Sequence, residues 1–396
     1  PNSNFEDSGL VGFKTGLDLK TTGPVELRDI GHLMESEIRG KGLLQTHIHG
    51  PFSVIICDFD FELTDAYYLN LDLGQVKGRV TLDDTSDLVT LRQLHGSRDR
   101  SRYVADGKII IKDPSRIQLK VDILEGSRVE DLIAVFQDLT KDVSWFPKQL
   151  KGEAQGVVDV SGELDLEKIS ILSDLNGKDW DYWGERFKRI TGRGGFVRGA
   201  YVLEDARVFK NAGFLDGHLR YDPKNGIDWA IKSASLNLND FDRIAAMDIP
   251  LRGKLAIVSK GQGKLGEVDS STQIGLTDLR IRGMPSPASE LSVQTRAGKA
   301  TVSGVVFDGQ GTLQLDYDFK SGAPSALRAE LRSLDFSPAI LLLNPSLIQD
   351  RNLQGLFSGA ADLKFNSGAA EKATGLVTIT EYRLGKTGAG FELTQP

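Results

Sequence analysis

With 396 residues, 48 Lys and Arg against 55 Asp and Glu, and a formal net charge of −7, the chain has no basic footprint for nucleic acid. Its one cysteine, Cys57, excludes an intramolecular disulfide, and no apolar stretch reaches the roughly 18 residues of a membrane-spanning helix. Glycine is enriched, at 43 residues, and falls between or inside alternating runs, which suits many turns and bulges.

The chain begins at Pro1 without Met or a signal peptide and reads as a piece of a longer polypeptide. VELRDIGHLMESEIRGKGLL, with Ile38-Arg39-Gly40, is a looser copy of the repeat phrase found further along the chain, and it is followed by His47-Ile48-His49, two imidazoles on one strand face. That spacing is used by zinc hydrolases and some cupins. His32, His95 and His218 bring no surrounding ligand motif, so the pair is read as polar residues on a solvated face and no metal is assigned. Asp58-Phe59-Asp60 is likewise read as solvated, and Cys57 as strand core without a basic neighbour to activate it. Alternation continues through Leu69, Leu71 and Leu73, then Val76, Val80 and Leu82, then Ile117, Leu119, Val121 and Ile123.

Ser127 to Phe136 reads as a short helix with Ser127 as its N-cap. Leu150-Lys151-Gly152 then opens a strand with Val158, Val160, Leu164 and Leu166 on one face and Asp159, Ser161, Glu163 and Asp165 on the other. Trp180, Tyr182, Trp183 and Phe187 form an aromatic cluster beside Arg186, Lys188 and Arg189, with a short helix expected over 184–190 and a packing role favoured over a membrane surface. Leu215, Leu219 and Tyr221 alternate next, followed by a weak helix over 240–247 and a strand opened by Leu251-Arg252-Gly253 with Leu255 and Ile257. Gly261 to Gly266 satisfies G-x-G-x-x-G but leads into turn and strand, so no dinucleotide loop is assigned. Leu313, Leu315 and Tyr317 alternate with Gln314, Asp316 and Asp318, a further carboxylate pair read as surface. A helix over 337–343 precedes Leu353-Gln354-Gly355, after which Phe357, Leu363 and Phe365, then Val377 and Ile379, continue the pattern. Gly385-Lys386-Thr387 resembles the end of a P-loop, but Thr380 stands where its first glycine belongs.

The L-x-G openings at 150, 251 and 353 lie 101 and 102 residues apart, and each follows a strand and a short helical piece. This implies one continuous array over residues 1–396 with approximate units 1–116, 117–225, 226–325 and 326–396. The expected class is all-β, mostly antiparallel, with a few short helices. So many one-faced strands must bury their apolar faces against a second sheet, in a solenoid, or on the inside of a trough.

The segment LQGLFSGAADLKFNSGAAEKATGLVTITEYRL, with its lead-in LRAELRSLDFSPAILLLNPSL, resembles the recurring phrase of the TamB family and the wider AsmA-like group. That resemblance implies an elongated U-shaped β-groove of the "β-taco" kind, periplasmic, in a protein anchored in the inner membrane. It implies phospholipids as cargo and an outer-membrane barrel of the TamA (Omp85) type as partner through regions outside this chain, with no cofactor and no enzymatic activity. The groove would be lined by Leu69, Leu71, Leu73, Leu119, Val121, Val158, Val160, Leu164, Leu166, Leu219, Leu255, Ile257, Leu313, Leu315, Tyr317, Phe357, Leu363, Phe365, Val377 and Ile379. A role in assembling outer-membrane barrel proteins competes within the same family. A surface β-solenoid or glycan-active enzyme is the reading from another class, supported only by the Asp pairs.

Overall fold

The computed structural model describes residues 16–28, 38–68, 71–135, 149–165, 167–182, 184–247, 251–281, 283–335, 353–386 and 391–395. The chain divides into two compact units, residues 1–205 and 206–396. The first contains β1 (Leu17–Glu26), β2 (Ile38–Gly50), β3 (Ile56–Tyr68), β4 (Leu71–Asp83), β5 (Leu88–Arg98), β6 (Ser101–Ile110), β7 (Arg116–Arg128), α1 (Val129–Val135), β8 (Lys151–Glu163), β9 (Ser170–Tyr182) and β10 (Glu185–Val197). Strand β11 (Ala200–Phe209) spans the division. The second unit contains β12 (Phe214–Asp222), β13 (Gly226–Ala234), β14 (Leu236–Asn237), α2 (Asp242–Ala245), β15 (Leu251–Gly263), β16 (Asp269–Ile281), β17 (Met284–Pro285) and β18 (Ser289–Arg296). It continues with β19 (Lys299–Val306), β20 (Gly311–Asp318), β21 (Pro324–Asp335), β22 (Leu353–Asn366), β23 (Thr374–Lys386) and β24 (Phe391–Gln395).

The protein is all-β and antiparallel, its sheet open rather than closed into a barrel. Strands pair with their neighbours along the chain, and the two-residue strands β14 and β17 are small insertions in that order. The period-two pattern explains the strands: one face is apolar, and on the other opposite charges meet directly across the pairing. Glu26 faces Lys41, Asp60 faces Arg79, Glu62 faces Lys77 and Arg328 faces Asp362. Exposed pairs of this kind add little stability each, but they disfavour a one-residue slip that would turn the apolar face outward.

Two of the three L-x-G glycines, together with Gly40 of the looser Ile38-Arg39-Gly40 copy, share a structural task, whereas the third, Gly355, pairs in register with Leu384 and takes part in no bulge. Gly40, Gly152 and Gly253 each sit where the register shifts, one glycine opposing two residues of the next strand. The first of those two is in each case an aspartate with left-handed backbone: Asp65 at φ 51°, Asp179 at 52° and Asp278 at 52°. The second, Ala66, Trp180 or Leu279, packs over the glycine. This is a β-bulge with aspartate at its strained position. A Cβ on Gly152 would stand 2.4 Å from Trp180 Cδ1 and 3.0 Å from its Cα, and φ there is +148°. The same device recurs at Gly78, opposite Gln93 and Leu94, outside any L-x-G phrase.

Three local expectations change. Ser127 does not cap α1: it belongs to β7, where its buried hydroxyl bonds both the N–H and the carbonyl of Arg102, each at 3.1 Å. The expected helix over 184–190 is instead the strand β10, which pairs antiparallel with β9 from Glu185 opposite Tyr182 onward. Gly184 takes φ 79° and donates its N–H to Asp181 Oδ1 at 3.0 Å. Trp180, Tyr182 and Phe187 of the aromatic cluster therefore lie on paired strands. Trp180 packs on Gly152 and Gly177 and donates its indole N–H to Glu153 O at 2.7 Å, as packing requires. The weak helix over 240–247 shortens to a 3-10 turn at Leu238–Asp240 followed by α2. The helix expected over 337–343 and Trp183 lie outside the described residues.

Among the described residues, fully covered apolar side chains are few and mostly small. In the first unit Leu63, Ala66 and Val76 cluster beneath Val25, Leu27, Phe61 and Leu73, with Ala105, Ile123 and Ala154 elsewhere. In the second, Leu236 and Leu238 are buried beside α2. Most apolar positions on the inner strand faces are only partly covered.

Candidate functional site

Following the register from strand to strand gives continuous apolar rows within each unit. In the first, Thr46, Phe59, Val80, Leu91, Gly107, Leu119, Val160, Ile171 and Phe196 are successive cross-strand partners from β2 to β10. A second row runs Ile48, Cys57, Leu82, Val89, Ile109, Ile117 and Gly162. In the second unit Ile257, Ile274, Leu291, Gly304, Leu313, Ala329, Ala361 and Val377 form one row. Thr272, Val293, Val302, Leu315, Leu327 and Leu363 form the next. At about 4.8 Å per strand the nine-strand row follows the sheet for roughly 38 Å, against about 15 Å for the acyl depth of one membrane leaflet.

Of the expected lining residues, Leu119, Val121, Val158 and Val160 meet on β7 and β8, and Leu73 packs in the Leu63 cluster. Leu255 and Ile257 face Leu276 and Ile274; Leu219 faces Trp229. Leu313, Leu315 and Leu363 lie in the two rows of the second unit, Tyr317 faces Ala300, Phe365 faces Ser325, and Phe357 faces Leu334 and Tyr382. Val377 and Ile379 share that face but are 61% and 58% exposed. Leu164 lies just beyond β8 and is exposed; Leu69 and Leu166 fall outside the described residues, as does the side chain of Leu71. The expected lining does not include Phe59, which the sequence places in strand core, nor Leu91, Trp229, Ile274, Leu291 or Val302, which only the strand register brings onto the apolar face.

The rows carry little charge chemistry. Burial, with Asp84 and Asp58 nearby, pushes the Cys57 thiol up and keeps it protonated. Burial pushes the Tyr103 phenol up to about 12; its ring covers Gly96 and its hydroxyl donates to Leu73 O at 2.8 Å. In the second unit a cleft of about 740 Å³ combines Ala300, Tyr317 and Phe365 with Lys299, Lys364 and Lys372. Tyr317 stands 5.6 Å from Phe319 and 6.5 Å from Phe365, ring centre to ring centre.

The motifs weighed as catalytic resolve into structure. Gly261 and Gly263 end β15, and the turn after them leads to β16, with no helix N-terminus to hold a pyrophosphate. Asp60 is held by Arg79 through two hydrogen bonds of 2.8 and 2.9 Å, and Asp316 accepts from Thr301 and Gln314. His47, His49 and Asp58 come together on the outer, polar face of the first unit. No protein-family model, curated protein or solved structure matches the chain.

Proposed function

We propose that the apolar rows form a groove for phospholipid acyl chains, and that the chain is a segment of a bridge-like periplasmic lipid-transfer protein. One observation carries this reading: within each unit an open sheet presents unbroken apolar rows that are only partly covered, while its other face is paired charge. Each exposed methylene costs about 0.8 kcal/mol in water, so a sixteen-carbon chain left bare costs on the order of 10 kcal/mol. A partly wet apolar row removes much of that cost, and because its residues change little from strand to strand, sliding along it meets no deep minimum. The cleft beside Tyr317 and Phe365 places ammonium groups of Lys299, Lys364 and Lys372 and carboxylates of Asp316 and Asp318 at the row's margin, charges of both signs that suit a zwitterionic headgroup. No nucleotide site is needed for passive movement along such a surface.

The test is to purify the chain under mild conditions, extract it, and identify bound lipid by native mass spectrometry. Stoichiometric phospholipid that is lost in Val160→Asp and Leu315→Asp, with strand content unchanged, is the expected result. Lipid-free protein, or lipid retained by both variants, overturns the groove reading.

A further inference from the structure

The groove leaves the outer face of the first unit unused, and there β1, β2 and β3 bring together a second kind of chemistry. His47 and His49 project from one face of β2, with Asp18 of β1 and Asp58 of β3 on the same face. His47 Nε2 lies 2.8 Å from Asp18 Oδ1, and His49 Nε2 lies 3.1 Å from Asp58 Oδ2. The two imidazoles stack with centroids 4.3 Å apart and planes 27° from parallel. Ligand atoms of His47, His49 and Asp58 all lie within 4.8 Å of one another.

We propose that this cluster is a binding site for a divalent transition metal of the zinc class, with His47, His49 and Asp58 as ligands. Tetrahedral zinc with bonds near 2.0–2.1 Å needs ligand atoms roughly 3.3 Å apart, so small side-chain rotations close the observed separations. Two imidazoles select against calcium and magnesium, which take oxygen ligands, and in favour of zinc, copper or nickel. A further contact prepares the carboxylate: Thr81 of β4 donates its hydroxyl to Asp58 Oδ1 at 2.6 Å, which leaves Oδ2 turned toward the histidines. Thr81, and then His49, hold the Asp58 carboxyl below its ordinary range, and His47 does the same for Asp18. An isolated His–Asp pair elsewhere offers the contrast. His218 and Asp228 stand 3.3 Å apart in the second unit, with no second imidazole in the cluster. The metal would clip three consecutive strands together.

The experiment uses the full chain stripped with chelator and titrated calorimetrically with zinc chloride, with far-UV circular dichroism on every variant. One zinc per chain is expected, with affinity lowered about tenfold or more by His49→Ala, His47→Ala and Asp58→Asn and unchanged by His218→Ala. Saturating zinc should raise hydrogen-exchange protection in β1, β2 and β3 of the unsubstituted chain and leave that of the His47→Ala/His49→Ala variant unmoved. Zinc K-edge absorption should report two imidazoles. The proposal is overturned by no zinc uptake, by binding that survives the double variant, or by equal loss in His218→Ala.

Discussion

Replacing Gly152 by alanine tests whether the recurring glycine is an architectural requirement. Alanine would have to adopt φ +148°, a region open essentially to glycine alone, at a cost of about 1–3 kcal/mol. Its Cβ would also meet Trp180 at 2.4 Å from the ring edge and 3.0 Å from the backbone, and relieving that overlap costs about 1–3 kcal/mol more. The indole cannot simply swing away, because its N–H is bonded to Glu153 O and its ring also covers Gly177. The backbone N–H of Gly152 is itself fixed by Glu130 Oε2 at 3.0 Å, so moving the strand breaks the tie to α1. The total is about 2–6 kcal/mol. Gly275 is the control: its backbone is ordinary, and an added Cβ would touch only Ala256 Cβ at 3.7 Å. Alanine there should be neutral or stabilise by about 0.5 kcal/mol. Hydrogen exchange read by mass spectrometry is the appropriate assay, since an array of nearest-neighbour strands need not unfold as one unit. Protection should fall in β8, β9 and α1 for Gly152→Ala and nowhere for Gly275→Ala. Equal protection in the two variants would refute the bulge as the reason for glycine at position 152.

Two further predictions concern the first unit. Ser101 is buried, its Oγ accepts the Arg128 N–H at 2.8 Å and donates to Asp131 Oδ2 at 2.9 Å, so Ser101→Ala should cost about 1–3 kcal/mol and loosen α1 selectively in exchange. The Tyr103 phenol, pushed by burial up to about 12 from an ordinary 10, favours the folded state while it is protonated. The unfolded chain loses that proton first as pH rises, so this contribution is intact below pH 10 and disappears between pH 10 and 12. Burial also pushes the Tyr68 phenol up, so alkaline titration followed by tyrosinate absorbance should show late ionisation of which one tyrosine equivalent is lost in Tyr103→Phe; an unchanged late phase in that variant would overturn the burial of Tyr103.

The period-two face was legible in the sequence because alternation survives without any tertiary knowledge: Val158 and Val160 against Asp159, or Leu313 and Leu315 against Gln314, admit only one inward side. The repeating glycine was also visible, but its partner was not. Asp65, Asp179 and Asp278 look like ordinary solvated strand residues, and only the register reveals that each occupies the strained position opposite a glycine. The basic, aromatic stretch 184–190 reads as helix by composition, whereas its strand state depends on pairing with β9 and on the Gly184 N–H bond to Asp181, neither of which composition reveals. The His–Asp cluster was half legible. His47 and His49 share a strand face by spacing alone, but Asp18 lies 29 residues from His47, and its approach depends on which residue of β1 meets which of β2.

How such a sheet holds together bears on what its apolar face is free to do. A compact domain depends on its inward residues, because each fills space between two layers and its loss leaves a cavity. Here the covered side chains are instead gathered at local sites: Leu63, Ala66 and Val76 beside the Gly40 bulge, and Leu236 and Leu238 beside α2. Strand is tied to strand by backbone hydrogen bonds between sequence neighbours, by outer-face charge pairs and by the glycine bulges. Stability built that way is approximately a sum of neighbouring interfaces, so a change at one row position is felt mainly by the two adjoining strands. Val160 or Leu315 can therefore become polar at a smaller cost than a residue such as Leu236, which has no exposed surface at all. The rows are thus under weak constraint from folding, and their unbroken apolar character over successive strands needs another cause. The acyl-chain path proposed above would supply one, since a single polar break would interrupt it even where the fold tolerates the break.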